Sequence, residues 1–583
     1  MAQDSTAVAS DQAVKMTGAR VIAKLLRARG VKRAYGLIGG HIQPIVDEMV
    51  RHGIEFVDTR HECAAVYMAH AEAALSGRLT VAMATAGPGI TNAVTGLANA
   101  DVARMPVLVI SGRVPRLQDG MGGMQDVPQA EVVRSICRRV EVVWSAAHVA
   151  ARMDAAIRAA LGSDGTPGPA YIDFPTDIQR EEIHAADIDE ALFAEWAPTP
   201  IPASADALDR AAKVIREARR PLVLAGQNAH GCRAQIEAFL EKTGAIYLDT
   251  SESRGAIPGD NPANVPAMRA KAMQGADLVL TLGRKLDFQV AYGSPAIFEG
   301  GARFIRIGRN DEYISGNRRA EVELKADVAL ALDGLLERDI RPIDPDAAWL
   351  SEIKSQNEIR ERKLRETIRS MPAEGLMHPY SVIDAVNAHV DKDTIMIADG
   401  GDILSFARVA LKDSARLLDP GALGCIGVGV AFANGAAISN PGKRVIALIG
   451  DGSFGFGAME IHTAVRKGAK VIFVVANNKG WNIDRHDQIE NYDGHLIGVE
   501  LGNVEYDLLA RALGAYGERV ERREDLPAAL ERAFENAPAV LNVMVDPEPK
   551  SPDFASGIAF VYDRQALRRW HELEDERRAS EAV

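Results

Sequence analysis

The sequence lacks the long apolar runs that a membrane-spanning helix requires. No stretch approaches about 20 uninterrupted apolar residues, and Met1–Lys15 is small and polar rather than a basic segment followed by an apolar core. Only 4 of the 583 residues are cysteines, and no two of them form a CxxC pair. This low cysteine content argues against a disulfide framework or a structural zinc site. We therefore expect a cytoplasmic protein that makes no membrane contact.

Basic residues are also outnumbered by acidic ones. The chain has 67 Lys and Arg residues against 80 Asp and Glu residues, which gives a formal net charge of -13. No long basic run could follow a phosphate backbone, so nucleic acid is not an expected partner. The hydrophobic share of 47% and the charged share of 25% are those of ordinary globular proteins, and the length corresponds to about three domains.

Short apolar runs recur along the chain. Val445–Ile449 and Val471–Ala476, for example, are near-continuous apolar stretches of strand length, and segments with helical spacing separate such runs. This alternation is typical of parallel sheets that are covered by helices on both faces. Such sheets bind ligands beyond the carboxyl ends of their strands, so the residues that follow each run are candidate site residues.

Two proline-rich segments, residues 196–203 and 341–345, divide the sequence into blocks. We predict an α/β protein built from three doubly wound parallel-sheet domains. The domains are expected over residues 1–190, 200–340 and 365–550, followed by a charged C-terminal extension over residues 551–583. The extension carries aromatic residues but has no place in a sheet, so we interpret it as a candidate lid over an active site.

The strongest motif joins two of the apolar runs. Gly-Asp-Gly-Ser occupies residues 450–453, directly after one run, and Asn-Asn-Lys-Gly occupies residues 477–480, directly after the next. Asp451 and Asn478 are 27 residues apart, a length that fits a right-handed strand-helix-strand crossover. Such a crossover would lay the two strands close together and bring both oxygen donors to one edge of the sheet.

These oxygen donors predict a magnesium and diphosphate site. Asp451, Asn478 and the backbone carbonyl of Gly480 could hold Mg²⁺, and its other ligands would come from a diphosphate and water. The backbone N–H groups of Gly452 and Ser453 open the following helix, where the helix dipole favours anions. We expect them to bind further phosphate oxygens.

The spacing of these two motifs resembles the signature of thiamine-diphosphate-dependent enzymes. Near the N-terminus, Arg60-His61-Glu62 precedes segments 85–96 and 105–112 in an order similar to the pyrimidine-binding domain of acetohydroxyacid synthase relatives. The resemblance covers the whole chain. It implies a pyrimidine-binding domain, a central domain and a diphosphate-binding domain, in that order.

The resemblance also implies roles for individual residues. Glu62, as a buried acid, would bond the pyrimidine ring of the cofactor and activate its thiazolium carbon, and Ile426 would lie beneath the thiazolium ring. The other cofactor contacts that it implies are Pro88, Asn92, Gly401, Gly424, Gly452, Ser453 and Asn478. In this family the glutamate of one subunit meets the diphosphate site of another, so a homodimer or a homotetramer is expected.

Polar residues near both motifs indicate the branch of the family. His41 and Gln125 resemble the His and Gln of benzaldehyde lyase, which handle the hydroxyl and carbonyl groups of the substrate. Asp487 and Glu490 follow the predicted metal loop and are candidate proton carriers. We assign the proton transfer to Glu490 and leave Asp487 open.

Together with the C-terminal extension, these features resemble the bacterial 2-hydroxyacyl-CoA lyases related to oxalyl-CoA decarboxylase. The resemblance implies a thiamine-diphosphate-dependent lyase that breaks the C1–C2 bond of a 2-hydroxyacyl-CoA, with 2-hydroxyisobutyryl-CoA as one candidate. The products would be formyl-CoA and a ketone or aldehyde. Basic residues of the central block and of the following linker are candidate contacts for the CoA phosphates, namely Arg254, Arg269, Arg284, Lys285, Arg362 and Lys363.

Two alternative functions stay open at this point. Relatives that bind FAD or ADP in the central domain usually carry an acidic residue after the strand that matches residues 304–307, but residues 308–310 read Gly-Arg-Asn here. FAD is therefore not expected, and ADP is left open. The first alternative is an FAD-containing acetohydroxyacid synthase that condenses 2-oxoacids. The second is a non-catalytic regulator with the same fold, against which the joint presence of Glu62, Asp451 and Asn478 argues.

Overall fold

The computed structural model describes residues 15–163, 165–194, 196–372, 374–411, 416–558 and 560–582. The chain divides into two units, Met1–Pro198 and Thr199–Val583. The first unit contains one large parallel sheet and the second contains two. The prediction of an α/β protein with three parallel-sheet domains is therefore confirmed.

In the described part of the first unit, the strands are β1 (Lys15–Thr17), β2 (Arg33–Gly36), β3 (Glu55–Asp58), β4 (Thr80–Ala84), β5 (Val107–Arg113), β6 (Arg139–Val142), β7 (Ala170–Pro175) and β8 (Glu182–His184). The α-helices are α1 (Gly18–Ala28), α2 (Gln43–Arg51), α3 (Glu62–Ser76), α4 (Pro88–Val102), α5 (Gln129–Val133), α6 (Val149–Ala160) and α7 (Thr176–Arg180). The parallel sheet has the strand order β3-β2-β4-β5-β7-β6, and β1 pairs antiparallel with β8.

The central domain begins the second unit. Its strands are β9 (Pro221–Ala225), β10 (Ile246–Leu248), β11 (Leu278–Leu282), β12 (Arg303–Gly308) and β13 (Val322–Lys325). Its α-helices are α8 (Ala205–Arg216), α9 (Arg233–Thr243), α10 (Arg269–Gly275), α11 (Asp311–Ile314) and α12 (Val328–Leu336). The strands are parallel in the order β10-β9-β11-β12-β13, and the long helix α13 (Ala347–Arg369) follows them.

The third sheet lies in the rest of the second unit. Its strands are β14 (Ile395–Asp399), β15 (Arg416–Leu418), β16 (Val445–Gly450), β17 (Val471–Asn477), β18 (Tyr516–Val520) and β19 (Ala539–Met544). The α-helices around it are α14 (Pro379–Asn387), α15 (Asp402–Ala410), α16 (Gly429–Ser439), α17 (Asp451–Gly457), α18 (Ile461–Lys467), α19 (Asn482–Asn491), α20 (Tyr506–Ala512) and α21 (Leu526–Glu535). The strand order is β15-β14-β16-β17-β19-β18, which repeats the topology of the first sheet.

The apolar strand sequences follow from this architecture. Every residue of β4, β9, β11 and β17 is buried, because helices cover both faces of each sheet. The helices α3 and α4 pack against each other, and Val66 of α3 lies where a side chain at Gly96 of α4 would stand. In the part of the chain that the structure describes, every helix is too short or too polar to cross a bilayer. None of the four cysteines, all of which are described, forms a disulfide.

The C-terminal extension contributes α22 (Pro552–Ala555) and α23 (Arg568–Glu581). Helix α22 contacts the third domain, where the backbone N–H of Asp553 donates to Ser405 Oγ at 2.7 Å. Helix α23 packs Trp570 and Leu573 against an apolar cluster of the central domain. The extension thus bridges two domains of the second unit, and its action as a lid stays a prediction.

Candidate active site

The sheet topologies create a crevice in each domain. In all three parallel sheets the first and third strands of the sheet, counted in chain order, lie side by side, and the chain leaves them toward opposite sides. The carboxyl ends of such a strand pair form the usual ligand-binding crevice of doubly wound sheets. The pairs are β2 and β4, β9 and β11, and β14 and β16. Predicted site residues follow each pair, with His41 after β2, Arg284 after β11 and Asp451 after β16.

Glu62 is the first residue of α3, and it is only 5% exposed. Its Oε2 accepts a hydrogen bond from Asn92 Nδ2 at 3.0 Å. Asn92 lies on α4, which begins at Pro88. The structure therefore brings two predicted cofactor residues together at the starts of neighbouring helices. A buried carboxyl group in this position can bond a heteroaromatic nitrogen, which is the property that the pyrimidine ring of the cofactor requires.

His41, Thr85 and Gln125 form a polar group in the crevice between β2 and β4. His41 Nδ1 lies 3.2 Å from Thr85 Oγ1, and Thr85 Oγ1 donates to Gln125 Oε1 at 3.4 Å. Burial lowers the pKa of His41 from its ordinary value, against an opposing contribution from Gln125. The imidazole is therefore neutral at pH 7. If its Nδ1–H donates to Thr85, its Nε2 lone pair can accept a substrate proton.

Asp451 is the acid of the predicted cation site, and it is 3% exposed. Burial raises the pKa of its carboxyl group to about 7, although backbone N–H groups of Gly452, Lys479 and Gly480 lower it. Strands β16 and β17 pair in parallel, with Gly450 opposite Ala476. The expected crossover is therefore present, and it brings the loop after β17 to Asp451. A bound cation would offset the desolvation of this carboxylate.

The loop after β17 carries the other predicted metal ligands. Asn478 Oδ1 accepts the backbone N–H of Gly480 at 3.2 Å, and Lys479 between them adopts a left-handed backbone conformation with φ of 67°. Among the described residues, no three His, Cys, Asp or Glu side chains converge on a common point. Asp451 with the Asn478 and Gly480 oxygens therefore offers a sparse, oxygen-only set, which fits Mg²⁺ that also binds phosphate oxygens.

The start of α17 has the features of a diphosphate cradle. Within the described residues, Ser453 Oγ is buried without a hydrogen-bond partner, so it can donate to an oxygen of a ligand. Gly452 lies against Trp481, and a Cβ atom at this position would stand 2.4 Å from the indole ring. These two predicted cofactor residues fit the diphosphate end of thiamine diphosphate.

Asp399 holds the turn that carries Ile426. Its buried Oδ2 accepts the backbone N–H groups of Gly427 at 3.0 Å and Gly429 at 2.7 Å. Burial raises the pKa of Asp399 to about 6. Ile426 is partly buried. Sequence reasoning missed the role of Asp399, although its place at the end of a buried strand was an available signal.

Several other predicted residues lie close to this turn or beyond the metal loop. Gly401 precedes α15, and Gly424 has a left-handed backbone with φ of 67°. Glu490 lies on α19, where its half-exposed side chain forms an ion pair with Lys550 of the C-terminal part. Asp487 on the same helix accepts a hydrogen bond from Asn491 at 2.9 Å.

The predicted CoA contacts fall into two groups. Arg254, Arg269 and Arg284 are held by protein acceptors near the crevice between β9 and β11. Arg284, for instance, is 1% exposed and pairs with Glu252 and Asp287 at 2.6 Å each. Lys285 pairs with Glu312 at 2.6 Å, and Arg362 and Lys363 are exposed on α13.

The fold, the buried Glu62 with its partner Asn92, and the oxygen donors after β16 and β17 fit a class of α/β enzymes that hold a diphosphate cofactor and activate it with a buried glutamate. Comparison with known protein families agrees. Residues 16–132 match the family model described as "Thiamine pyrophosphate enzyme, N-terminal TPP binding domain", residues 208–335 match the central domain, and residues 399–543 match the C-terminal TPP binding domain. The chain therefore belongs to the thiamine pyrophosphate (thiamine diphosphate) enzymes.

Curated relatives carry two different names. A protein of Mycobacterium bovis named "Probable acetolactate synthase" is 32% identical over 92% of this chain and 97% of its own length. A mouse protein named "2-hydroxyacyl-CoA lyase 1" is 30% identical over 95% of this chain and 99% of its own length. A human protein named "2-hydroxyacyl-CoA lyase 2" is 30% identical over 92% of this chain and 91% of its own length. The chain is equally similar to relatives of either name. The function that these relatives have in common is that of a thiamine-diphosphate-dependent enzyme.

Proposed function

We propose that the chain is a thiamine-diphosphate-dependent lyase that cleaves the C1–C2 bond of a 2-hydroxyacyl-CoA. The products are formyl-CoA and a ketone or aldehyde. The observation that carries the proposal is the group of His41, Thr85 and Gln125 in the crevice of the first sheet. A neutral imidazole beside an amide suits a substrate that has a hydroxyl group to deprotonate and a carbonyl group to polarise.

Each site residue has a separate proposed role in binding or proton transfer. Thiamine diphosphate, when bound, supplies the carbon nucleophile and the electron sink of the reaction. Glu62 bonds its pyrimidine ring and moves the proton that activates it. His41 takes the proton of the 2-hydroxyl group while Gln125 orients the substrate through its side-chain amide. Glu490 delivers the proton that completes the one-carbon product.

We propose Mg²⁺ as the metal and name Asp451, Asn478 and Gly480 as its protein ligands. Support comes from the buried carboxylate of Asp451 and from its contacts with the loop after β17. Ser453 and the backbone N–H of Gly452 would hold further oxygens of the diphosphate. The basic residues of the central domain and α13 are proposed CoA contacts, of which Arg362 and Lys363 are exposed.

We further propose that the active enzyme is a homodimer or a homotetramer. Large apolar side chains are exposed near the predicted site residues of each unit. Leu117, Met121 and Met124 in the first unit are 89%, 78% and 80% exposed. Phe456 and Ile497 in the second unit are 68% and 76% exposed. Exposed patches of this kind are typical of protein interfaces, and a second copy of the chain is the partner that we propose.

The similarity to the Mycobacterium bovis protein favours a second candidate, an acetolactate synthase that condenses two 2-oxoacids. The Gly-Arg-Asn sequence at the end of β12 is unfavourable to FAD in the central domain, because positions 308–310 hold no acidic residue to meet a ribose. Asn310 instead caps α11 by accepting the backbone N–H of Tyr313 at 3.2 Å. A colourless purified protein would accordingly support the lyase.

The two candidates are separated by their products. The purified protein is incubated with thiamine diphosphate and Mg²⁺, and either 2-hydroxyisobutyryl-CoA or pyruvate is added. The lyase releases formyl-CoA and acetone from the first substrate. Acetolactate from pyruvate, without formyl-CoA from any 2-hydroxyacyl-CoA in a chain-length series, would contradict the proposal.

A further inference from the structure

A buried polar group lies behind the crevice that holds His41 and Gln125. Its centre is Gln129, the first residue of α5, which is 1% exposed. Around it are Ser111 of β5 and Tyr171 and Asp173 of β7, each of which is fully buried. Sequence reasoning assigned no role to any of these residues. Buried polar groups are costly unless they are hydrogen-bonded, so their arrangement requires an explanation.

Both ends of the Gln129 amide have partners. Oε1 accepts the backbone N–H of Gly87 at 2.8 Å. Nε2 lies 2.9 Å from the carbonyl oxygen of Gly112, 2.9 Å from Tyr171 Oη and 3.0 Å from Asp173 Oδ2. Because Gly87 offers a donor and the other side offers acceptors, the amide has one satisfactory orientation.

Gly87 and Gly112 connect this amide to the predicted catalytic side chains. A Cβ atom at Gly112 would stand 2.0 Å from the carbonyl oxygen of His41, and one at Gly87 would stand 2.6 Å from the carbonyl oxygen of Gln125. The two glycines therefore lie directly against the backbones of His41 and Gln125. Gly87 also precedes α4, the helix that carries the hydrogen-bond partner of Glu62.

We propose that Gln129, oriented by Asp173, is a positioning residue that fixes His41 and Gln125 relative to each other. The inference rests on the proposed function, because it assumes that these two side chains meet the substrate. Gln129 itself lies behind the crevice and acts through the backbones at Gly87 and Gly112. A misplacement of about 1 Å at catalytic groups is enough to lower turnover strongly.

The charge of Asp173 makes the arrangement sensitive to pH. Arg113 of β5 faces the carboxylate at 3.7 Å, with Asp119 as its second partner, and Tyr171 Oη donates to Asp173 at 3.0 Å. Burial raises the pKa of Asp173 to about 6, against the lowering contributions of Gln129, Arg113 and Tyr171. Above that pH the carboxylate accepts from Gln129. Below it the added proton competes for the same oxygens and loosens the amide.

Three variants test the proposal. Gln129→Met keeps the size but removes both ends of the amide. Gln129→Glu keeps the acceptor for Gly87 but sets a second carboxyl group against Asp173. Asp173→Asn keeps the shape and removes the charge. Gln235→Glu, on α9 of the central domain, is the matched control for a Gln-to-Glu change outside the group. Thermal unfolding of each variant shows that it is folded.

Two measurements are made. The first is the determination of kcat and KM from pH 5.5 to 8.5. The substrate is a 2-hydroxyacyl-CoA or a 2-oxoacid, according to which of the two the wild type converts. The second is hydrogen–deuterium exchange of the peptide that contains the Gly87 amide, which needs no substrate. If the wild type cleaves no 2-hydroxyacyl-CoA, the proposed function fails, while the exchange data and 2-oxoacid turnover still decide the role of Gln129.

We expect Gln129→Met to lower kcat by about 10- to 100-fold with a smaller change in KM, and to speed exchange at Gly87. Gln129→Glu should be impaired at pH 7.5 and recover toward pH 6, because a proton shared between the two carboxyl groups restores a donor. Asp173→Asn should retain most turnover and lose the decline near pH 6. Wild-type exchange and wild-type pH profiles in all three variants would overturn the proposal.

Discussion

Asp399 ends β14 and Asp451 directly follows the neighbouring strand β16, and the two show how one residue type serves two purposes. Burial raises the pKa of Asp399 to about 6 and that of Asp451 to about 7. Asp399 Oδ2 accepts hydrogen bonds from the turn around Ile426. Asp451 instead accepts hydrogen bonds from the loop that carries the other predicted cation ligands. The sequence pattern could predict Asp451, since it lies within Gly-Asp-Gly-Ser. It did not reveal the role of Asp399: the end of a buried strand was the available signal, but the partners of Asp399 are 28 and 30 positions further along the chain.

Glu490 is the residue whose proposed role is simplest to test. Glu490→Gln keeps the size of the side chain but removes its transferable proton, so we expect turnover to fall by about 100-fold or more. Thiamine diphosphate affinity should be unchanged, because Glu490 is outside the predicted diphosphate site. The measurements are kcat and a cofactor titration.

A second variant separates this role from the ion pair with Lys550. Lys550→Met removes the partner and leaves the acid, and it should keep most of the turnover. Full activity of Glu490→Gln would remove Glu490 from the mechanism.

At the scale of elements, α17 depends on a close approach to the residue that precedes α19. We predict that Gly452→Ala is destabilising, since its Cβ atom would stand 2.4 Å from the ring of Trp481. Overpacking of this kind costs about 1–3 kcal/mol, and movement of the ring would disturb the start of the helix. A lower Tm and weaker thiamine diphosphate binding are the expected results.

Gly455→Ala is the control for that substitution. It lies on the same helix, and its nearest neighbour would be Tyr506 Oη at 3.2 Å from the new Cβ atom. This contact is tight but much looser than the one at Gly452, so we expect Gly455→Ala to lower Tm and cofactor affinity less than Gly452→Ala does. Equal effects of the two substitutions would show that the Trp481 ring moves aside without cost.

Helix α23 depends on one buried carboxylate. Glu574 accepts from Ser294 Oγ at 2.6 Å and pairs with Arg577 and Arg578 at 2.6 and 2.8 Å. The Arg577 guanidinium, with help from Ser294 and Arg578, lowers the pKa of Glu574 to about 2. A depressed pKa stabilises the folded state fully above the ordinary value of 4.5, and this contribution is lost as pH falls from there toward about 2.

We therefore predict that α23 loosens on acidification. Hydrogen–deuterium exchange of its peptides, corrected for the intrinsic rate, should accelerate between pH 6 and pH 3.5 more than exchange in β17. Glu574→Gln should show faster exchange already at pH 7 and a weaker dependence on pH. Equal pH dependence in the variant and the wild type would assign the docking to Trp570 and Leu573 alone.

For the whole molecule, the sequence predicted more of the fold than of the site. Apolar runs such as Val471–Ala476 predicted parallel sheets, because strands covered on both faces have no polar alternation. Pairings between distant loops were not predictable in this way. Arg284 was predicted as a contact for the CoA phosphates, yet it is buried, because Glu252 and Asp287 converge on it from two loops. Gln129 gave no signal in the sequence, since its four neighbours come from two separate strands and a helix start.

The family resemblance implies that each active site is shared between two subunits, and mixed dimers test this arrangement. Glu62→Gln and Asp451→Asn should each be inactive alone, since each disables one half of every site. If Glu62 of one subunit works with Asp451 of its partner, a mixed dimer has one site with both changes and one site with neither. Random association makes half of the dimers mixed, so co-expression should restore about a quarter of wild-type activity.

The same experiment has a clear contrary outcome. If Glu62 and Asp451 of one chain served the same site, every site in the mixture would carry one of the two changes, and no activity would return. The assay is turnover after co-expression with two different affinity tags, which allow mixed dimers to be isolated. In that purified fraction the restored activity should rise to about half of the wild-type value, because one of the two sites in each dimer is intact.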